Sequence, residues 1–146
     1  MSRNTLDSII GRTITEIRVM SFFISRKLIC DTIALYIKTD TGLWYKLFTS
    51  DGFNFIESQQ AGPIEITLDE IDDDFAYPVN KINILYSKGK IESINKYMYK
   101  NYPDELNGFY IKLDKGAGFS LFEKEGCLKI IEGIIIDKDY SLVEYY

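Results

Sequence analysis

The chain has 146 residues, a net charge of −5 and a hydrophobic content of 46%, with 11 Tyr and 9 Phe. That is the size of one domain, able to bury roughly 68–70% of its unfolded surface, and too apolar for intrinsic disorder. Histidine is absent, which excludes Ser-His-Asp and Cys-His mechanisms, and two lone cysteines give no zinc ligand set of the usual spacing.

No apolar run approaches the ~18–20 residues of a membrane span, and the start, Met-Ser-Arg-Asn-Thr, lacks the apolar stretch of a signal peptide. The expectation is a cytoplasmic protein. Cys30 and Cys127 are then read as two small buried hydrophobes and not as a disulfide.

In chain order, Asn4 is placed to cap a helical turn through Leu6 to Ile10 that stops at Gly11. Ile14 and Ile17 follow, at a spacing that a regular strand would send to opposite faces, so a β-bulge is expected there. Leu35 and Ile37 alternate with Tyr36 and Lys38, a turn uses Asp40-Thr41-Gly42, and Tyr45 and Leu47 alternate on the way back. Asp51-Gly52 supplies the next turn. Thr67-Leu68-Asp69-Glu70 has the pattern of a capping box, and Leu68, Ile71 and Phe75 fall at helical spacing. The spacing predicts a short acidic helix over Leu68 to Phe75, with its apolar stripe inward and Pro78 limiting its run. Ile91 and Ile94 repeat the Ile14 and Ile17 motif, Pro103 to Leu106 is a further helix candidate before Asn107-Gly108, and Phe109, Ile111, Phe119 and Leu121 repeat the earlier alternation before Glu125-Gly126.

That repetition is extensive. Sliding the chain by 74 residues lays Tyr36–Ile56 on Tyr110–Ile130 without a gap, with 9 of 21 positions identical, where ordinary residue usage gives only ~1–2. The predicted fold class is mainly β, with α+β as the alternative: an internally duplicated antiparallel β-meander with pseudo-two-fold symmetry and a few short helices. The predicted organisation is a single domain over residues 1–146. A first repeat covers about 12–66, the acidic linker helix about 67–76 and a second repeat about 82–136. The eight inward residues of the two hairpins, Leu35, Ile37, Tyr45 and Leu47 with Phe109, Ile111, Phe119 and Leu121, are the predicted shared core.

Charge is not shared. Residues 1–74 hold 7 basic and 12 acidic side chains, and residues 75–146 hold 10 of each. The excess gathers at Asp69, Glu70, Asp72, Asp73 and Asp74, either a solvated helix face or a surface for a cationic partner that relieves their mutual repulsion. A calcium loop does not fit, because the alternating ligands and glycine of an EF-hand are missing. Lys88, Lys90, Lys96 and Lys100 mix with Tyr86, Tyr97, Tyr99 and Tyr102, a combination used to bind single-stranded nucleic acid. The net negative charge opposes a polyanion, and Lys among strand-forming Tyr reads more simply as a protected sheet edge. Trp44 stands where the second repeat has Gly118, so it is either an interface anchor or asymmetric filling of the core. No carboxylate pair stands out for acid–base work, no glycine cluster cradles phosphate, and nothing implies a metal or cofactor.

A small acidic β-rich domain without catalytic signatures resembles, in general type, the immunity proteins of bacterial toxin systems, though no motif is specific to them. The expected function is therefore a non-enzymatic protein-binding module, an inhibitor or immunity protein neutralising a basic toxin or nuclease. Its binding residues would be Asp69, Glu70, Asp72, Asp73, Asp74 and Trp44, with no membrane as partner and nucleic acid disfavoured by the net charge. The alternatives are a small enzyme or ligand-binding domain with a site between the repeats, using Tyr36, Tyr110, Trp44 and nearby carboxylates, and a nucleic-acid binder using the Lys and Tyr segment.

Overall fold

Alternating apolar and polar residues dictate strands, and strands dominate the computed structural model, which describes residues 7–50, 53–82, 89–100 and 102–144. The first half is a meander of β1 (Ile14–Ile24), β2 (Lys27–Thr39), β3 (Trp44–Ser50) and β4 (Phe53–Gln59), each antiparallel to the next. Two short strands, β5 (Phe75–Ala76) and β6 (Val79–Ile82), then pair with the free side of β1. The second half repeats this order: β7 (Ile91–Tyr99), β8 (Tyr102–Leu113), β9 (Gly118–Lys124) and β10 (Cys127–Glu132) form a meander, and β11 (Tyr140–Glu144) pairs with β7. The halves join into one antiparallel sheet of 11 strands through β10 and β2, paired at Leu128 and Thr32, and meet again at the bridge between Thr13 and Lys90.

Register agrees between the halves as closely as order does. Leu35 lies opposite Leu47, Ile37 opposite Tyr45 and Leu47 opposite Ile56. The positions 74 residues on give Phe109 opposite Leu121, Ile111 opposite Phe119 and Leu121 opposite Ile130. The expected bulge occurs twice, as register shifts between Ile14 and Glu16 and between Ile91 and Ser93. In each case the extra residue turns both isoleucines of the motif to one face, so Ile14, Ile17, Ile91 and Ile94 are all fully buried.

All eight predicted core side chains are at most 1% exposed and belong, with those isoleucines, to one hydrophobic cluster drawn from both halves. Their alternation gives each meander an apolar inner face, and covering these faces is the main gain on folding. A helical turn at residues 7–9 adds Ile9 to the core and ends at Gly11, whose φ of 85° is the left-handed conformation that glycine adopts without strain. Gly108 serves differently: the carbonyl oxygen of Leu121 occupies the place a β-carbon would take, so the neighbouring strand approaches closely only because the side chain is missing.

Four expectations are corrected. The acidic helix over Leu68 to Phe75 is a single 3-10 turn, Leu68–Glu70, followed by extended chain. Thr67 makes no side-chain cap, and Phe75, expected inward, is 56% exposed in β5, opposite Ile24. Pro103 to Leu106 lies within β8, not in a helix; proline is tolerated there because it is the second residue of the strand, near the hairpin end. The segment read as a sheet edge contains β7, which is paired on both sides, by β8 and β11. Finally, Cys30 and Cys127 form a disulfide across 97 residues, with Cα atoms 5.3 Å apart. It links β2 to β10 beside their single paired position, where the ladder between the halves is thinnest.

Candidate functional site

The acidic residues gather at one end of the first meander. The β1–β2 hairpin turns through Ser25 and Arg26, both at positive φ (46° and 68°), as a tight two-residue turn requires. The chain at 69–75 is tied to that tip. Arg26 pairs with Asp69 at 2.8 Å, the Ser25 amide donates to the Asp74 carbonyl at 2.7 Å, and the Asp73 carboxylate accepts the Phe75 amide at 3.1 Å. Asp69, Glu70, Asp72, Asp73 and Asp74 are all exposed, and of the five only Asp69 has an ion pair among the described residues. Both partners of that pair are well exposed, so it contributes little to stability.

Beside this acidic run is an aromatic group with no signal in the sequence reading. Phe22 of β1 stacks on Phe75 (ring centroids 6.3 Å apart, planes within 6°) and on Tyr77 (5.1 Å, 21°). Phe75 and Tyr77 remain 56% and 46% exposed, and Leu28 and Ile29 on the same hairpin are about half exposed. Phe22, Phe75 and Tyr77 are neighbours, which distinguishes this group from the scattered apolar residues normal on any surface.

Trp44 is elsewhere. Its ring is buried on the outer face of the first meander with Tyr36 and Ala34. Gly62 lies against the indole so closely that a β-carbon would collide with it, and the Arg18 guanidinium covers the ring at 4.7 Å from its centroid. Arg18 is itself held by Glu16 and by the Pro63 carbonyl. Trp44 therefore fills a layer closed by Gly62 and Arg18 and is too buried to offer a face to a partner. At the matching place in the second half, the Tyr110 ring occupies the space above Gly118. Nearby, the Tyr97 hydroxyl bonds Ser120 at 2.6 Å and accepts the Ile135 amide at 3.0 Å, while Ser120 donates to the Gly133 carbonyl. Burial raises the pKa of Tyr36, helped by the Glu57 charge, and burial raises that of Tyr110, helped by Tyr97. Tyr36 and Trp44 thus belong to one outer layer and Tyr110 to another, so the three do not form a joint site.

A cleft of about 790 Å³ does lie between the halves, but other residues line it. Val19, Ile29, Ile82, Leu128 and Ile130 provide its apolar surface. One wall, from β1, β2 and β6, carries Asp31, Thr32 and Asn80; the other, from the β9–β10 hairpin, carries Lys124, Glu125 and Lys129. Cys127 also lines the cleft, so the disulfide braces one wall against the other.

Of the Lys and Tyr segment, Tyr86 and Lys88 lie outside the described residues. Tyr97 is buried, and Tyr99 packs on Tyr140 at 5.2 Å, so these rings serve the sheet and form no open stacking platform. Among the described residues no group of three or more acidic or cysteine side chains is placed to hold a metal, and no helix is long and apolar enough to cross a membrane. No family model matches the chain, and neither a curated protein nor a solved structure matches it.

Proposed function

We propose that the chain is a non-enzymatic protein-binding module that engages a basic partner through the end of its first meander. The observation that carries this reading is the exposed Phe75 and Tyr77, stacked on Phe22 and bordered by Asp69, Glu70, Asp72, Asp73 and Asp74. Protein interfaces combine an apolar, aromatic centre with a polar rim. Here the rim is predominantly acidic and would steer a cationic surface toward the rings. Trp44 is left out of this surface because it is buried. Neutralisation of a basic toxin or nuclease remains the specific role we favour, since an inhibitor needs affinity and charge complementarity but no chemistry of its own.

The cytoplasmic setting expected from the sequence sits poorly with the Cys30–Cys127 disulfide, because such bonds persist where thiols are kept oxidised. We infer an oxidising setting.

Affinity capture from the source with the wild-type chain and with a Phe75→Ser/Tyr77→Ser variant, compared by mass spectrometry, tests the reading. A basic protein retained by the wild type and lost by the variant is the expected result. Equal retention by both would place the binding surface elsewhere.

A further inference from the structure

We infer that the Cys30–Cys127 disulfide is a redox switch for the aromatic group of the first meander. Closed, it holds Phe22 in place against Phe75 and Tyr77; opened by a dithiol, it releases that ring. The connection is short. Phe22 and Cys30 are directly opposite in the β1–β2 ladder, where paired side chains lie on one face. Register shifts occur on both sides of this pair, between Met20 and Phe22 and between Phe22 and Phe23, so the ladder is interrupted at the residue that carries the ring. The Ser21 hydroxyl adds one bond there, to the Asp31 carbonyl at 2.6 Å. Cys30, buried and tied through Cys127 to β10, supplies the remaining constraint. On its other side β1 holds the strand of Phe75 and Tyr77, through the Ser21 amide on the Pro78 carbonyl (2.9 Å) and the Ser25 amide on the Asp74 carbonyl (2.7 Å). A change at Cys30 therefore reaches the two exposed rings through Phe22 alone.

The bond is placed to open without loss of the fold. Neither cysteine belongs to the core cluster, and the main-chain bonds between residues 11–14 and 89–91 do not depend on it. Cys127 is partly exposed. Lys124 is opposite it in the β9–β10 ladder, and Lys129, two residues on, shares its face. Positive charge there favours approach of a thiolate and departure of another. A thiolate of the reductant attacks the Cys127 sulfur, the S–S bond breaks, and Cys30 leaves as a thiolate that takes up the proton the reductant lost. The second reductant thiol then displaces Cys127 in the same way, so the reductant ends as a disulfide and the chain as two thiols. The bond is closed in the oxidising setting inferred above and opens where thiols are abundant. Binding by the aromatic group then depends on the compartment, a use that rests on the function proposed for that group.

The test needs no partner, so its outcome is separate from that of the capture experiment. Amide hydrogen exchange of the full chain is read by NMR in the closed form, after dithiothreitol, and in a Cys127→Ser variant. Dithiothreitol should make both thiols titratable while the Thr39 and Leu113 amides, bonded to Leu43 and Ala117 at equivalent places in the two meanders, stay protected. In both open forms the Ser21 and Ser25 amides should exchange about tenfold faster relative to those two, as a local opening requires. Equal acceleration of all four amides, which global destabilisation alone gives, would overturn the inference. So would no acceleration, loss of protection throughout, or a bond that dithiothreitol leaves closed in the folded chain.

Discussion

Inside, the two halves share the register of their hairpins; outside, they differ. Leu35, Ile37, Tyr45 and Leu47 are matched position for position by Phe109, Ile111, Phe119 and Leu121, with the same partners across the sheet. The outer layers share only their location. The first is closed by Trp44 beneath Arg18, and the second by Tyr110 over Gly118 with the Tyr97–Ser120 hydrogen bonds. The acidic run with its exposed aromatic rings belongs to the first half alone. A shared core constrains every inward residue through its neighbours in the other half, because close-packed interiors resist changes of volume. The Trp44 layer lies outside that shared cluster and is free to differ, so a function unique to one half is sought outside.

The largest expected effects test the equality of the inner faces. Ile37→Ala and Ile111→Ala should each cost ~2–5 kcal/mol in urea unfolding, as deletion of a fully buried Ile side chain does. A loss under about 1 kcal/mol at either site would break the equivalence. Replacing both cysteines by serine should cost ~2–4 kcal/mol, since the bond closes a long loop and sits at the thin junction. An unchanged melt would mean that the shared core and the main-chain bonds between residues 11–14 and 89–91 hold the halves together without it.

Smaller effects separate the outer layers. Gly62→Ala drives a methyl into the Trp44 indole and Gly118→Ala drives one into the Tyr110 ring, so each should cost ~1–3 kcal/mol. Replacing Trp44 by Leu should rescue the first and leave the second untouched, as thermal melts of the double variants would show. Smaller still is a pH effect. Tyr36 and Tyr110 have pKa values raised above 10.0 in the folded chain. The neutral phenol is thus favoured by folding, and its contribution is complete below the unfolded pKa and lost as pH rises above it. Tyr36→Phe and Tyr110→Phe should each flatten the decline in stability above pH ~10. A decline unchanged in both variants would assign it to other groups.

Much of the inner architecture was legible in the sequence because it follows local rules. Alternation marked Leu35 to Leu47, and glycines marked turns such as Gly42 and Gly126, at φ of 84° and 82°. The doubled Ile-x-x-Ile motif foretold two bulges. What was missed depends on distant partners. The capping-box pattern at Thr67 promised a helix, but so short a helix is marginal alone, and pairing of Phe75 with Ile24 pulls the chain into a strand. Cys30 and Cys127 occupy unmatched places in the two halves, so only the β2–β10 junction brings them together. The aromatic group and the cleft also join residues far apart in the chain. Of the expected binding residues, the five acidic ones are indeed exposed, whereas Trp44 fills a buried layer.

The claim that function sits on the outer end of the first half is tested most directly by association kinetics with the captured partner. Asp69→Asn/Asp72→Asn/Asp73→Asn changes only exposed positions and should cost at most ~0.5 kcal/mol of stability each. The account predicts that this variant associates more slowly than wild type at low salt and that the difference shrinks at physiological salt, because screening removes the steering that the aspartates supply. Equal association rates at both salt concentrations would contradict it.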